Sequence, residues 1–247
     1  MDIKLILIVA CVFSLAGFVK GVIGMGLPTV SVALLVLALG VKEALALMLV
    51  PSIATNIWQA AVGGHFRVLM RRLWPLFAAA VPAIWLGAGL LAKADALLVS
   101  VFFGAMLTLY AVLALLKVSV PPPGKHETWL TPIVGAATGI ITGLTGSFIV
   151  PAVLYMQALG LSREALLQAM GIAFTLSMAM LGVALAGHSL LPADLAVLSA
   201  GALIPSVLGM AVGQWVGRKL SEERFRQIFF SALLLLGIWL MVRSFTL

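Results

Sequence analysis

The chain has 247 residues, 63% of them hydrophobic and 9% charged, with a mean hydropathy of +1.22. A soluble domain carries about 25% charged and about 45–50% apolar residues, so this composition excludes a water-soluble globule, which could not cover its surface. The formal charge of +7, from fifteen Lys and Arg against eight Asp and Glu, includes no basic stretch interleaved with aromatics. Nucleic acid is therefore set aside as a partner, and the basic residues read as orientation signals and snorkelling anchors at helix ends in a lipid bilayer.

A membrane-spanning helix needs roughly 17–25 mostly apolar residues. In chain order the apolar runs cover 3–20, 26–40, 44–63, 73–92 and 96–116. The first reads as a membrane segment and not a cleaved leader, because Asp2 precedes Lys4 and no small-x-small site leads into a polar chain. VPPPGKHE, from Val120 to Glu127, follows; three successive prolines and a glycine deny it a helix. The remaining runs are 128–145, 148–161, 165–186, 194–217 and 225–245. The second run of each half is short for a crossing and is expected to be a half-helix or a hairpin arm. Cys11 is the single cysteine, which leaves no disulfide framework and no Cys-based metal site.

The halves repeat one another. Gly17, Gly21 and Gly24, inside GFVKGVIGMGLP, are answered 122 residues later by Gly139, Gly143 and Gly146, inside GIITGLTGSFIVP. Glu43-Ala-Leu is answered by Glu164-Ala-Leu, Gly64-His65 by Gly187-His188, Pro82 by Pro205, and Phe102-Phe103 by Phe229-Phe230. This order predicts a first transmembrane repeat over 1–119, a linker over 120–127 and a second repeat over 128–247. Internal repeats of this kind are a signature of secondary transporters, with the substrate site near the bilayer midplane.

Charge orients the bundle. If all ten runs cross, or if the first two of each half form a hairpin, then Lys20, Arg67, Arg71, Arg72, Lys117, Lys125, Arg163, Arg218, Lys219, Arg224 and Arg226 share one side. Lys4, Lys42, Lys93 and Arg243 share the other. If each half's first two runs instead make a single crossing, the charges divide evenly once Lys20 is left out. The positive-inside rule favours the first arrangement, with both termini outside. Five segments per half is an odd number, so the second repeat is inverted. The expected fold is thus an all-α, polytopic helical bundle of two inverted five-segment repeats, with short or broken segments at the glycine-rich motifs.

The acidic residues Asp2, Glu43, Asp95, Glu127, Glu164, Asp194, Glu222 and Glu223 all fall at a terminus or a loop. Glu43 and Glu164 start the third segments, where a carboxylate complements the helix dipole. No carboxylate is left at depth for a proton relay or a cation ligand, and there is no HExxH motif or buried acid pair for an enzyme. His65 and His188 lie near segment ends. No cofactor is expected, and no catalytic residue.

Glycine-rich backbone and neutral polar groups remain. Glycine lets the chain unwind and approach a ligand, and a helix that starts after such a break presents free N–H groups to an anion. This places Lys20, Gly21, Gly24 and Gly26 at one candidate substrate site and Thr142, Gly143, Thr145, Gly146 and Ser147 at the other; Thr142 is the repeat counterpart of Lys20. Small-xxx-small helix packing is the competing reading for the glycines, and Lys20 could instead reach the cytoplasmic interface. Thr55 and Asn56, and Thr175 with Ser177, lie inside the third segments and either bond between helices or complete the site. Gln59 stands with Asn56 in this reading, and Gln157 and Gln168 are weaker candidates of the same kind. Trp58, Trp74, Trp129, Trp215 and Trp239 read as interface belt.

GFVKGVIGMGLPTVSVALL, its echo TGIITGLTGSFIVPAVLYM and the Thr-bearing third segment after each are similar to the TauE/SafE family of sulfite and organosulfur-anion exporters. The resemblance covers both halves. It implies a multi-pass permease of the bacterial inner membrane that moves sulfite, sulfoacetate or a related sulfonate. A proton or sodium gradient is an open source of coupling, and oligomeric state is undetermined. Transport of another solute or a metal cation, and a non-transporting membrane subunit, stay open as alternatives.

Overall fold

The computed structural model of the protein describes residues 3–246, and among these the regular structure is entirely helical. Asp2 lies outside the described residues. The first five helices are α1 (Ile3–Ile23), α2 (Leu27–Leu39), α3 (Val41–Ala61), α4 (Phe66–Lys93) and α5 (Ala96–Leu115). After the prolines a single 3-10 turn (Gly124–His126) leads into α6 (Glu127–Thr145), α7 (Ala152–Ala158), α8 (Arg163–Gly187), α9 (Ala193–Gly201), α10 (Leu203–Gly217) and α11 (Glu222–Thr246). The 3-10 turn is held by the His126 N–H on the Pro123 carbonyl (3.0 Å).

Among the described residues, eight stretches are long and apolar enough to cross a bilayer, with α9 and α10 together making one of them. The helix α2 has 13 residues and α7 has 7. At 1.5 Å per residue they reach about 20 Å and about 10 Å, short of the ~30 Å hydrocarbon core. The run over 194–217, expected as one segment, is divided at Ala202. Pro205, three residues on, has no N–H to give the Gly201 carbonyl, which weakens the helix there. Leu15, Leu86, Val183, Ile204 and Leu235 project apolar side chains outward. Such faces are costly in water and ordinary in lipid.

The chain divides into two compact units, each built from segments on both sides of the proline linker. The first comprises Met1–Pro51, Ala94–Val118 and Leu191–Leu247; the second comprises Ser52–Lys93 and Ser119–Leu190. The helix α3 contributes its first part to one unit and its second part to the other.

In the first unit α1 lies against α10 through glycines that let the two backbones touch. Gly17 meets the Ser206 carbonyl, Gly21 that of Met210, Gly209 that of Ser14 and Gly213 that of Phe18. The contacting numbers rise together, so the two helices run parallel. Helices α5 and α11 run antiparallel: Gly104 and Thr108 meet Gly237, the rings of Tyr110 and Phe230 are 5.1 Å apart, and Lys117 pairs with Glu223. In the second unit α6 lies parallel to α4, with Gly135, Gly139 and Gly143 against the carbonyls of Leu76, Ala80 and Ile84. Each unit thus joins the first run of one sequence half to the fourth run of the other.

Pro51 interrupts the ladder of α3 by withholding a donor from the Leu47 carbonyl. Ser199 on α9 enters the gap, its hydroxyl donating to the Leu47 carbonyl (2.7 Å) and accepting the Val50 N–H (3.1 Å). Ser199→Ala strands both groups and is expected to destabilise the protein by about 1–3 kcal/mol, seen as a lower melting temperature in detergent. Adding Pro51→Ala returns an N–H to the Leu47 carbonyl and recovers part of that loss. An unaltered melting temperature for Ser199→Ala would show that the insertion carries no stability.

Candidate functional site

The first glycine-rich break belongs to the first unit. The helix α1 ends with the Gly24 N–H on the Lys20 carbonyl (2.8 Å), and α2 begins with the Val30 N–H on the Gly26 carbonyl (2.8 Å). Gly24 and Gly26 take left-handed backbone, with φ of 77° and 101°. Around Gly26 the nearest atom to an added Cβ is 3.7 Å away, on Val19. Conformation, not space, demands glycine there. Gly21 is the reverse case: the Met210 carbonyl and the Gly213 Cα occupy the place of a side chain. It is a helix-packing glycine one turn before the break.

Lys20 is 5% exposed. It is buried in the first unit at the C-terminal turn of α1 and does not reach outward as an interface anchor. Among the described residues it is the one buried residue that carries a formal charge, and no Asp or Glu is buried. Met25, between the two glycines, accepts the Tyr110 hydroxyl at its sulfur (3.6 Å). The first turn of α2 holds Thr29, 4% exposed, whose hydroxyl oxygen is buried with no hydrogen-bond partner. Sequence reading passed over this residue, although it stands directly after Pro28 in the quoted motif. Neighbouring hydroxyls signal nothing special, and only burial separates Thr29 from them.

The second break belongs to the second unit. The helix α6 closes on Gly146, whose φ of 68° is left-handed and whose N–H bonds the Thr142 carbonyl (2.7 Å). Thr142 and Thr145 are buried, and their hydroxyls donate back to the carbonyls of Thr138 and Ile141, each at 2.7 Å. The Thr145 oxygen accepts the Ser147 N–H at 3.3 Å, and the Thr142 hydroxyl also reaches the Ser147 carbonyl at 3.2 Å. In this arrangement the threonines offer lone pairs while their protons are committed to the helix. Gly143 packs on the backbone of α4. Phe148 is fully buried and meets the ring of Phe174 edge-on at 6.3 Å.

The third-segment residues also sort themselves. Asn56 and Thr55 are 1% and 4% exposed on the second part of α3. Thr175 is half-buried on α8, its hydroxyl on the Gly171 carbonyl. Gln168 proves to be a clamp: its amide donates to the Ala60 carbonyl (2.8 Å) and accepts the His65 N–H (2.7 Å). Gln59 adds a bond to the Leu167 carbonyl (2.9 Å). These bonds satisfy the backbone where α3 ends, so both glutamines hold the fold together. His65 is exposed, while His188 lies 5.0 Å from the Trp85 ring with its Nε2 buried and unpartnered.

A multi-pass helical bundle with paired glycine breaks and a buried lysine matches, over residues 9–240, the family described as sulfite exporter TauE/SafE. The chain belongs to the TauE/SafE family. No curated protein and no solved structure matches it. TauE/SafE is a family of membrane transporters, and the eight stretches of this TauE/SafE chain that are long and apolar enough to cross a bilayer, among the described residues, fit that role. Between the two breaks, its cationic one is the first, where the lysine lies buried and a helix of 13 residues begins. The second presents neutral oxygens at the C-terminal end of α6.

Proposed function

We propose that this chain is a permease for a small oxyanion, sulfite or an organosulfonate, in the bacterial inner membrane. The observation that carries this reading is the sign of the buried charge. Lys20 is buried beside the first break, and none of the described carboxylates is buried. Inside a bilayer an ionisable residue is costly and is kept for function, and a buried positive charge favours an anionic cargo over a cationic one. The sulfur oxyanion itself comes from the family.

The transport mode is alternating access between inverted repeats. Two repeats in the same orientation would set their fifth segments, α5 and α11, parallel wherever they touch; the antiparallel contact supports inversion. So does the parallel course of first and fourth runs in both units, because the first and fourth of five successive segments run in opposite directions within one repeat. Proton or sodium coupling belongs to the same reading.

Proteoliposomes of the purified protein are expected to move sulfite or a sulfonate such as sulfoacetate. Flux is measured with and without imposed proton and sodium gradients. Movement of a metal cation with no flux of any of these anions would replace this reading with cation transport.

A further inference from the structure

We propose that Thr29 and the first turn of α2 form an oxyanion subsite, in which the Thr29 hydroxyl donates to the cargo together with backbone N–H groups. The inference rests on the permease reading above and deepens it by assigning the ligand-facing groups of the first break. Two independent observations meet there. One is the N-terminus of a 13-residue helix, whose opening N–H groups have no partner within the helix. Pro28 has no N–H, so the terminus presents those of Leu27 and Thr29. The other is the Thr29 hydroxyl, enclosed in a residue 4% exposed and bonded to nothing.

That hydroxyl is an exception in this molecule. Ser31 donates to Leu27, Thr138 to Val134, Thr142 to Thr138, Thr145 to Ile141, Thr175 to Gly171 and Ser206 to Ala202, each to the carbonyl four residues back. For Thr29 that residue is Met25, inside the break, where the helix has not begun. The Cα–Cβ bond of a helical residue tilts toward the helix N-terminus, so the Thr29 side chain leans toward the same end as the free N–H groups. Thr108 also lacks a partner, but it lies against Gly237 in the α5–α11 seam, where no helix starts.

Burial deepens from the break into the helix. Ile23, Gly24 and Met25 are half-buried while Leu27, Pro28 and Thr29 are buried. An oxyanion entering past Gly24 would accept from the hydroxyl and the N–H groups, and charge-assisted bonds of this kind are the strong ones. The second break has no equivalent: α7 begins after Pro151 with Ala152, which carries no hydroxyl.

The test uses Thr29→Val, which keeps the shape and removes the hydroxyl, and Thr29→Ser, which keeps the hydroxyl. Sulfite is the probe. For Thr29→Val, the dissociation constant for sulfite and the KM of sulfite flux should each rise about tenfold or more. Its melting temperature without sulfite should equal or exceed that of the wild type, because an unpaired buried hydroxyl is unfavourable. Thr29→Ser should keep near wild-type affinity. Wild-type sulfite affinity in Thr29→Val would overturn the subsite, and so would a clear loss of melting temperature without sulfite, which would mean that the hydroxyl serves packing. If the wild type itself neither binds nor moves sulfite or a sulfonate, it is the permease reading that fails, and the subsite fails with it.

Discussion

Gly213→Leu is expected to yield no folded protein. Gly213 sits where α10 crosses α1, and the first carbon of any side chain there would enter the Phe18 carbonyl group. The obstacle is backbone, so no rotamer change can relieve it; the helices must separate. Separation would also break the contacts that Gly209, Gly17 and Gly21 make along the same parallel seam. In lipid, close packing of this kind and the hydrogen bonds it permits are what hold helices together. We expect a loss of at least about 3 kcal/mol, seen as aggregation on size-exclusion chromatography and a lost unfolding transition. Gly201→Ala is the matched control: nothing lies within 4 Å of its added carbon, and the change should stay within about 1 kcal/mol of the wild type. A monodisperse Gly213→Leu protein with the wild-type melting temperature would show that the seam tolerates separation.

Lys20→Met is expected to cost transport and not folding. Methionine follows the path of the lysine stem and fills similar volume, while the positive charge is removed. Sulfite flux should fall at least about tenfold, the scale of one hydrogen bond to a charged group, with the size-exclusion profile preserved. Wild-type flux in a folded Lys20→Met protein would remove the lysine from the site and leave the helix terminus as the anion-binding element. Loss of the folded peak would assign Lys20 to the architecture instead. Lys20 and Thr29 flank the same break, so their effects are expected to be non-additive in the double variant.

Much of the architecture was legible before the structure. The long apolar runs became stretches long enough to cross a bilayer, and the two short runs became helices of 13 and 7 residues. The breaks fall where Gly24, Gly26 and Gly146 were placed, each with left-handed backbone. Glu43 and Glu164 stand in first turns, and Ser162 caps α8 by accepting the Ala165 N–H (3.2 Å). These features are local: run length, chain conformation and capping are decided by residues within a few positions of one another.

The roles within the glycine motif were not legible. Gly21 and Gly24 belong to one sequence motif, yet the first packs on α10 and the second turns the chain. Nothing in their spacing separates these tasks, because both require the absence of a side chain. Nor did Lys20 announce whether it would reach outward or inward.

What the sequence by itself determined is that this chain lives in lipid and where most of its helices begin and break. Only the tertiary structure decided which helices pair, that Ser199 fills the gap left by Pro51, and that Thr29 alone in its turn has an unpartnered hydroxyl. The reason is physical. A helix apolar on every side carries no stripe to say which face meets a neighbour, so its partner is chosen by the fit of distant backbones. A hydroxyl becomes exceptional only when burial has withdrawn every other group that could bond it.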